Sequence, residues 1–206
     1  MLNILAADLS LTQTGLCLPD GSTTVFCTSA GTGLVGMAEQ RHLVARQLMI
    51  RDAVLDYARR AGADLVAIEG YSYGSPQQAT QVGGMGAIVR LGLEEEPDMR
   101  WVVVPPSSRA LYATGKGNAS KDMVLQEVAA RRGATFKTTD ECDAWVIWEL
   151  AKAAYGLPTE VQMPQKHLEA LTGVDWPTVP VGTGPFAGFP AQPISTYKPK
   201  TKKKRS

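Results

Sequence analysis

The chain has 206 residues, of which 44% are hydrophobic, and its formal net charge is +1. These values predict one soluble globular domain with its own core and a smaller appendage, and a near-neutral charge does not by itself indicate a nucleic-acid partner. Because no basic and then apolar leader is present, and no apolar run approaches the about 20 residues that cross a bilayer, we expect a cytoplasmic protein.

The three cysteines, Cys17, Cys27 and Cys142, lie far apart in the sequence. None of them belongs to a CxxC or CxxH pair, so their spacing favours neither a disulfide framework nor a structural zinc site. We therefore expect reduced thiols.

The first predicted element is a buried strand in the segment LNILAAD, which ends on the carboxylate of Asp8. Small polar residues follow it and predict a turn. Residues 15–18 and 23–28 are short apolar or β-branched runs on either side of the turn sequence PDGS. This pattern predicts that the first three strands form an antiparallel meander.

The next segment predicts an amphipathic helix that ends near residues 61 and 62. Its apolar face consists of residues that fall close together at 100° per residue: Met37, Val44, Leu48 and Leu55. The segment DLVAIE then predicts a fourth strand, which ends on Glu69. Residues 70–86 are rich in Gly, Ser, Gln and Tyr, so we expect a loop that leads into a second helix reaching about residue 95.

The following part of the chain predicts a fifth strand and three more helices. The strand covers residues 100–104 and is ended by two prolines, and the helices cover residues 107–117, 121–132 and 140–154. Each helix follows hydroxyl side chains that are typical N-caps: Ser107 or Ser108, then Ser120, then Thr138 or Thr139. The order of elements predicts an α/β fold with a five-stranded mixed sheet flanked by helices.

From residue 157 the sequence changes character, because eight prolines interrupt it. We expect the main domain to cover residues 1–156 and a Pro-rich extension to cover residues 157–206, with a short helix near residues 165–171. Six cations crowd the last nine residues: Lys198, Lys200, Lys202, Lys203, Lys204 and Arg205. This basic tail is expected to add affinity for nucleic-acid phosphates, and the alternative is that it only aids solubility.

Four carboxylates mark the ends of predicted elements. Asp8 and Glu69 end two strands that a helical crossover can place side by side. Asp140 and Asp143 share one face of the last helix, whereas Glu141 points elsewhere. Two unit charges about 4 Å apart repel by about 4 kcal/mol at an effective dielectric of about 20, so four gathered acids require divalent metal. Oxygen ligands favour Mg²⁺ or Mn²⁺, and a pair of such ions is the usual device for phosphodiester hydrolysis.

Each of these acids also has an ordinary structural explanation. Asp8 could cap the turn near Ser10, and Glu69 could pair with a lysine or arginine at the sheet edge. Asp140 could be a first-turn residue that favours the helix dipole. Asp143 is harder to explain in this way, because the apolar run AWVIW follows it. All four together are therefore interpreted as a metal site.

A basic, glycine-rich segment lies between the fifth strand and the last helix. Arg109, Lys116 and Lys121 are interleaved there with glycines and Asn118. Such a composition lets the backbone approach a phosphate while the cations neutralise its charge. The alternative for Lys116 and Lys121 is an ordinary solvated position.

Four segments, ILAADLSLTQTG, VAIEGYSYG, VPPSSRALYATGKGNASKDMV and TTDECDAWVIWEL, occur in this order within residues 2–156. Together they resemble the RuvC-like Holliday junction resolvases, especially the phage and actinobacterial branch. The resemblance implies an RNase H-like fold and a homodimeric endonuclease that cuts branched DNA symmetrically. It also implies two Mg²⁺ ions per site, which Mn²⁺ can replace, and a location in the cytoplasm of a bacterial or phage-infected cell.

The resemblance implies roles for individual residues. The metal-binding and catalytic carboxylates are Asp8, Glu69, Asp140 and Asp143, and the catalytic lysines are Lys116 and Lys121. The family places an aromatic side chain near the junction centre soon after the second carboxylate, so Tyr71 and Tyr73 are both candidates. These tyrosines complete the expected DNA-binding set with Arg109, Lys116, Asn118 and Lys121. The residues after 157 match no part of the family.

A symmetric cut requires two active sites related by a two-fold axis, so we expect a second copy to pack closely on the second helix. The small residues that favour this contact are Gly83, Gly84, Gly86, Ala87 and Gly92.

Three other function classes compete with a junction resolvase. DLSLTQTG resembles the phosphate-binding turn of actin-like sugar or acetate kinases, but the chain is too short for the two duplicated domains of those enzymes. A non-catalytic module that binds branched DNA has no need for four convergent acids. Other nucleases with an RNase H-like fold, acting on flaps, forks or RNA–DNA hybrids, share the acid geometry and stay open.

Overall fold

The computed structural model describes residues 2–70, 76–133, 135–179 and 191–194, with the backbone alone for residues 76–82. The strands are β1 (Ile4–Asp8), β2 (Gln13–Cys17), β3 (Thr23–Cys27), β4 (Leu65–Glu69) and β5 (Arg100–Val104). The helices are α1 (Met37–Arg60), α2 (Pro76–Glu94), α3 (Pro106–Thr114), α4 (Lys121–Arg132), α5 (Thr139–Ala154) and the 3-10 helix η1 (His167–Gly173). Tyr71, Tyr73 and the basic tail lie outside the described residues.

The five strands form one mixed sheet in the order β3-β2-β1-β4-β5. The pairs β1–β2 and β2–β3 are antiparallel, and β4 pairs in parallel with both β1 and β5. The predicted α/β fold with an antiparallel three-strand meander is confirmed. Because β1 and β4 are parallel neighbours, Asp8 and Glu69 end at the same edge of the sheet.

Alternate residues of the central strands pack into two separate cores. Ile4 and Ala6 of β1 pack under α3, α4 and α5, and we call this side the α5 face. Leu5 and Ala7 pack under α1 and α2, and we call this side the α1 face. Since side chains alternate along a strand, Asp8 lies on the α5 face with Ile4 and Ala6, and Glu69 follows the same rule in β4.

The buried side of α1 differs from the predicted one. Its buried stripe is formed by Gln47, Ile50, Val54, Leu55 and Ala58, and only Leu55 belongs to the predicted apolar face. Met37, Val44 and Leu48 are exposed. None of the first ten residues of α1 is buried, which shows that this part of the helix extends beyond the core. An apolar residue there has no core to pack against.

Helix α2 begins at Pro76, about ten residues earlier than the predicted loop allowed. Its glycines permit close packing on α1. A side chain at Gly92 would lie 2.9 Å from atoms of Arg51 and Leu55, and one at Gly84 would lie 3.2 Å from the amide of Gln47. At these two positions the small residues are therefore occupied by α1 of the same chain, contrary to the expectation that a second copy uses them.

The N-terminus of α3 also differs from the prediction. Pro105 is the N-cap and Pro106 occupies the first helical position, so neither Ser107 nor Ser108 caps the helix. Proline is well suited to this position, because its fixed φ matches the helix and its missing N–H would have had no helical partner. The predicted Ser120 cap of α4 is confirmed by its bond to the amide of Met123.

Part of the Pro-rich extension packs on the α5 face. The fully buried carboxylate of Glu149 accepts hydrogen bonds from the backbone N–H groups of Glu160 (2.9 Å) and Val161 (3.2 Å). The hydroxyl of Tyr155 donates to the carbonyl of Pro177 at 2.6 Å. The short helix expected near residues 165–171 is found as η1. The domain boundary at residue 157 stays a prediction.

Among the described helices, none has both the length and the apolar content that a bilayer span requires.

Candidate active site

Three carboxylates meet at the carboxyl end of β1 and β4. One oxygen each from Asp8, Glu69 and Asp143 can be chosen so that all three lie within 4.8 Å of one another. Asp8 and Glu69 come from neighbouring strands, and Asp143 comes from the first turns of α5. The predicted convergence of strand ends and helix start is thus present in the structure.

Gly15 allows α5 to approach the sheet this closely. It lies opposite Asp8 in the β1–β2 register. A Cβ atom at Gly15 would lie 2.0 Å from the carbonyl oxygen of Asp140, which is far inside van der Waals contact. The absence of a side chain at Gly15 therefore lets the beginning of α5 rest directly on β2, with Asp140 beside Asp8.

The start of α5 is fixed by a capping box. The side chain of Thr138 accepts a hydrogen bond from the amide of Glu141 at 3.1 Å, and the Glu141 carboxylate accepts from the amide of Thr138 at 3.2 Å. Thr138, and not Thr139, is the N-cap. Glu141 is used in this cap, as expected from its position, which leaves Asp140 and Asp143 to face the sheet.

Two cations lie among the acids. Arg109 of α3 is only 5% exposed, and its guanidinium contacts Glu69 at 2.8 Å and also Asp143. The Nζ atom of Lys121, at the start of α4, lies 2.9 Å from Asp8, 3.2 Å from Asp140 and 3.0 Å from Asp143. Arg109 is thus buried within the acid cluster, and its contact with DNA stays a prediction.

The charges in this cluster shift one another's ionisation. Burial raises the pKa of Glu69 well above its usual range, and the negative charge of Asp8 raises it further. Burial also raises the pKa of Asp140, against the opposing effect of Lys121. For Lys121, burial acts to lower the pKa, but the carboxylates, Asp8 first, outweigh burial and raise it. The cluster thus holds more negative charge than its two cations satisfy.

The donor set fits a hard divalent cation. Both carboxylate oxygens of Asp143 and one oxygen of Glu69 lie next to Arg109 or Lys121, but these contacts do not have the geometry of hydrogen bonds. The lone pairs of these buried oxygens are therefore unsatisfied. Buried carboxylates close together are the ligands that Mg²⁺ or Mn²⁺ prefers. The amide of Ser10, which Asp8 could have capped, donates instead to the hydroxyl of Thr14 at 3.3 Å.

Asp8, Glu69 and Asp140 line a cavity of about 560 Å³, and Asp143 lies buried beside them. Residues 117–119 form part of its wall, so the predicted contact Asn118 lies at the cavity. Lys116 is exposed one residue before this wall. Ser10 and Ser107 also line the cavity, although the sequence analysis assigned neither to the site. Ser10 lies two residues after the end of β1 and Ser107 three residues after the end of β5, and this closeness to the carboxyl ends of core strands is the signal that could have identified them.

Comparison with known proteins supports the same fold. The chain is 28% identical over 133 residues to a crossover junction endodeoxyribonuclease RuvC from Anaeromyxobacter sp. (strain Fw109-5). The aligned residues cover 65% of this chain and 63% of that relative. No protein-family model matches the sequence. The chain thus spans less than two thirds of the length of this curated relative.

Solved structures of Thermus thermophilus RuvC are also similar. RuvC in complex with a Holliday junction substrate aligns with a TM-score of 0.53 and 20% identity, over 71% of this chain and 90% of that one. A second T. thermophilus RuvC structure aligns with a TM-score of 0.52 and 19% identity over the same shares. The RNase H-like fold expected from the sequence motifs is confirmed by these similarities.

Proposed function

We propose that the chain is a metal-dependent endonuclease that resolves four-way DNA junctions by phosphodiester hydrolysis. The observation that carries this proposal is the meeting of Asp8, Glu69, Asp140 and Asp143 around one cavity at the carboxyl end of the sheet. The similarity to RuvC supports junction DNA as the substrate, because one of the similar structures contains a Holliday junction substrate.

Asp8, Glu69 and Asp143 are the residues that would hold Mg²⁺, with Asp140 beside them. We place two ions in each site and expect Mn²⁺ to replace them. Bound Mg²⁺ supplies positive charge that polarises a scissile phosphate and stabilises the oxygen that leaves. The protein's own part is to hold these carboxylates close together, so that a bound cation offsets their mutual repulsion.

The cations would then contact both the acids and the DNA. Lys121 has about half of its side chain exposed at the cavity mouth, so its Nζ atom can reach a DNA phosphate without leaving the site. Arg109 forms ion pairs with both Glu69 and Asp143, so we assign it the role of holding these two carboxylates in place. Lys116 and Asn118 follow on the cavity rim as phosphate contacts. Tyr71 and Tyr73 are both candidates for the aromatic contact near the junction centre.

A homodimer is part of this proposal. Val44 and Leu48 of α1 are 49% and 36% exposed, and Leu91 of α2 is 61% exposed. Ala87 is exposed on α2 as well. The two helices pack side by side, so together they present an apolar surface that a second copy can bury through a two-fold axis. We call these four residues the outer apolar surface.

The test offers purified protein a labelled four-way junction, a flap, a fork, an RNA–DNA hybrid and plain duplex, each with Mg²⁺, Mn²⁺ or a chelator. We expect paired cuts in the junction with either metal and none with the chelator. Preferred cleavage of the hybrid, or of the flap or fork, would assign the site to another nuclease of this fold. Junction binding without cleavage under every metal condition would indicate a non-catalytic module that binds branched DNA.

We also propose a cytoplasmic location, with which the three free cysteines agree.

A further inference from the structure

The helix η1 of the extension packs along α3, on the side away from the cavity. Ser107 and Arg109 of α3 line the cavity, whereas Ser108 points to η1. A side chain at Gly173 would lie 2.5 Å from the hydroxyl of Ser108, so the two helices are in close contact at this end. Helix α3 is therefore held between η1 and the active site.

At the other end of this contact, His167 binds the last turn of α3. The imidazole is buried, and its Nδ1 atom lies 2.7 Å from the carbonyl oxygen of Tyr112. A carbonyl only accepts, so Nδ1 carries the proton in this bond. The Tyr112 carbonyl is one of the last four in the helix, which have no partner within a helix. His167 thus supplies a C-terminal cap from a segment 55 residues away.

After α3, the chain turns at Gly115, next to the other ring nitrogen of His167. Gly115 has φ 73°, and a Cβ atom there would lie 2.9 Å from Nε2 of His167. The hydroxyl of Thr114 accepts a hydrogen bond from the N–H of Lys116 at 3.1 Å, and its own proton is within reach of the carbonyls of Ala110 (2.8 Å) and Lys116 (3.1 Å). Residues 117–119 then form the cavity wall. The path from the imidazole to the wall of the site is therefore only a few residues long.

We infer that His167 is a positioning residue for the nuclease site, and that the extension through η1 is part of the catalytic unit. The inference rests on the proposed function. His167 fixes the turn at Gly115, and this turn sets where Lys116 and Asn118 stand relative to the acids. A displacement of about 1 Å at such a position can reduce a rate by about a hundredfold.

The test compares two substitutions that differ in one hydrogen-bond donor. His167→Leu keeps the volume and removes the donor, whereas His167→Asn keeps an N–H donor near the position of Nδ1. We expect His167→Leu to lower the junction cleavage rate about tenfold to a hundredfold, with less than about a threefold change in junction Kd. His167→Asn should recover most of this loss. His42, the chain's other histidine, gives the matched control His42→Leu, which should cut at the wild-type rate.

Amide hydrogen exchange supplies a readout that does not depend on cleavage. Exchange at residues 115–119 should rise in His167→Leu and stay near the wild-type level in His167→Asn. Equal cleavage rates and equal exchange in the wild type and both variants would overturn the inference. If the wild type cuts no junction, the proposed function fails, and the exchange measurement still decides whether His167 holds the turn. If His167→Leu does not fold, His167→Met also lacks the donor, and raised exchange confined to residues 115–119 is the result expected of it.

Discussion

The two faces of the sheet are built from the same five strands but differ in how completely the helices on them are buried. On the α5 face, α5 is buried along most of its length, and Trp145 and Tyr112 are fully enclosed. On the α1 face, the first turns of α1 have no buried residue, and apolar side chains of α1 and α2 stay exposed. The difference teaches that enclosure on one face gathers charge into a site, whereas incomplete cover on the other leaves the apolar surface on which we propose that a second copy packs.

The strongest test of the α5 face removes one buried ligand. Asp143→Asn should lower junction cleavage by about a thousandfold, since a lost metal ligand removes several kcal/mol of transition-state stabilisation. Junction Kd should change little, because asparagine keeps the shape of aspartate. Rates and Kd would be measured with Asp122→Asn as the control, since Asp122 is an exposed acid near the start of α4. Full activity of Asp143→Asn in Mg²⁺ would refute the metal site.

The α1 face is tested by placing charge on the outer apolar surface. Leu48→Lys combined with Leu91→Lys should raise the dimer Kd by about a hundredfold or more, because a buried leucine contributes about 1.5–3 kcal/mol. Light scattering across a dilution series reports the mass. Met123→Lys is the matched control, since Met123 is an exposed apolar residue on α4 of the other face. A wild type that is monomeric at micromolar concentration and still cuts both strands in concert would contradict the dimer.

Metal binding should stabilise the fold in a manner that depends on pH. The pKa values of Glu69 and Asp140 are raised in the folded state, so their contribution to stability is complete below about pH 4 and is lost as pH rises through the raised values. Mg²⁺ offsets this loss by binding the ionised acids. At a hundredfold excess over Kd, it adds about 2.7 kcal/mol.

The thermal midpoint measures this effect. It should rise with Mg²⁺ by about 5–10 °C near neutral pH, by less at about pH 5, and by little in Asp143→Asn. An unchanged midpoint of the wild type at saturating Mg²⁺ would show that the acids do not bind the metal together.

The smallest expected effect concerns the contact between α5 and β2. Gly15→Ala should destabilise the chain by about 1–3 kcal/mol, because a methyl group there overlaps the Asp140 carbonyl and must displace the helix. The stabilisation by Mg²⁺ should shrink in parallel. Urea unfolding with and without Mg²⁺ would be compared with Gly83→Ala, where an added Cβ has no atom within 4 Å. Equal midpoints for the two variants would show that α5 tolerates a shift.

The sequence allows the strands and the acids to be predicted, because both follow local rules. A run of apolar residues that ends on a carboxylate indicates a core strand, and spacing along a helix decides that Asp143 and not Glu141 faces the site. Alternation in β1 and β4 then places Asp8 and Glu69 on one face. These features need no knowledge of distant contacts.

Features that depend on distant contacts could not be predicted in this way. Arg109 looks like a surface cation in its own segment, and only the folding of α3 over Glu69 and Asp143 buries it. Gly83 and Gly84 of α2 were predicted to lie in a loop, and the sequence gives no sign that Gly84 packs against Gln47 of α1. The sequence around His167 likewise gives no sign of its partner, the carbonyl of Tyr112.

The anchoring of the extension by Glu149 has a consequence for the order of synthesis. Glu149 is made before Glu160 and Val161, whose backbone N–H groups bind its carboxylate. Until those residues leave the ribosome, α5 must either keep this carboxylate in water or bury it with Lys152 as its main partner, and burial of a poorly paired charge is costly. We therefore expect closure of the α5 face to be favoured only once residues 160 and 161 have left the ribosome. A nascent chain that ends before residue 158 holds all four acids but lacks η1, so we expect the proposed nuclease activity only from the completed protein.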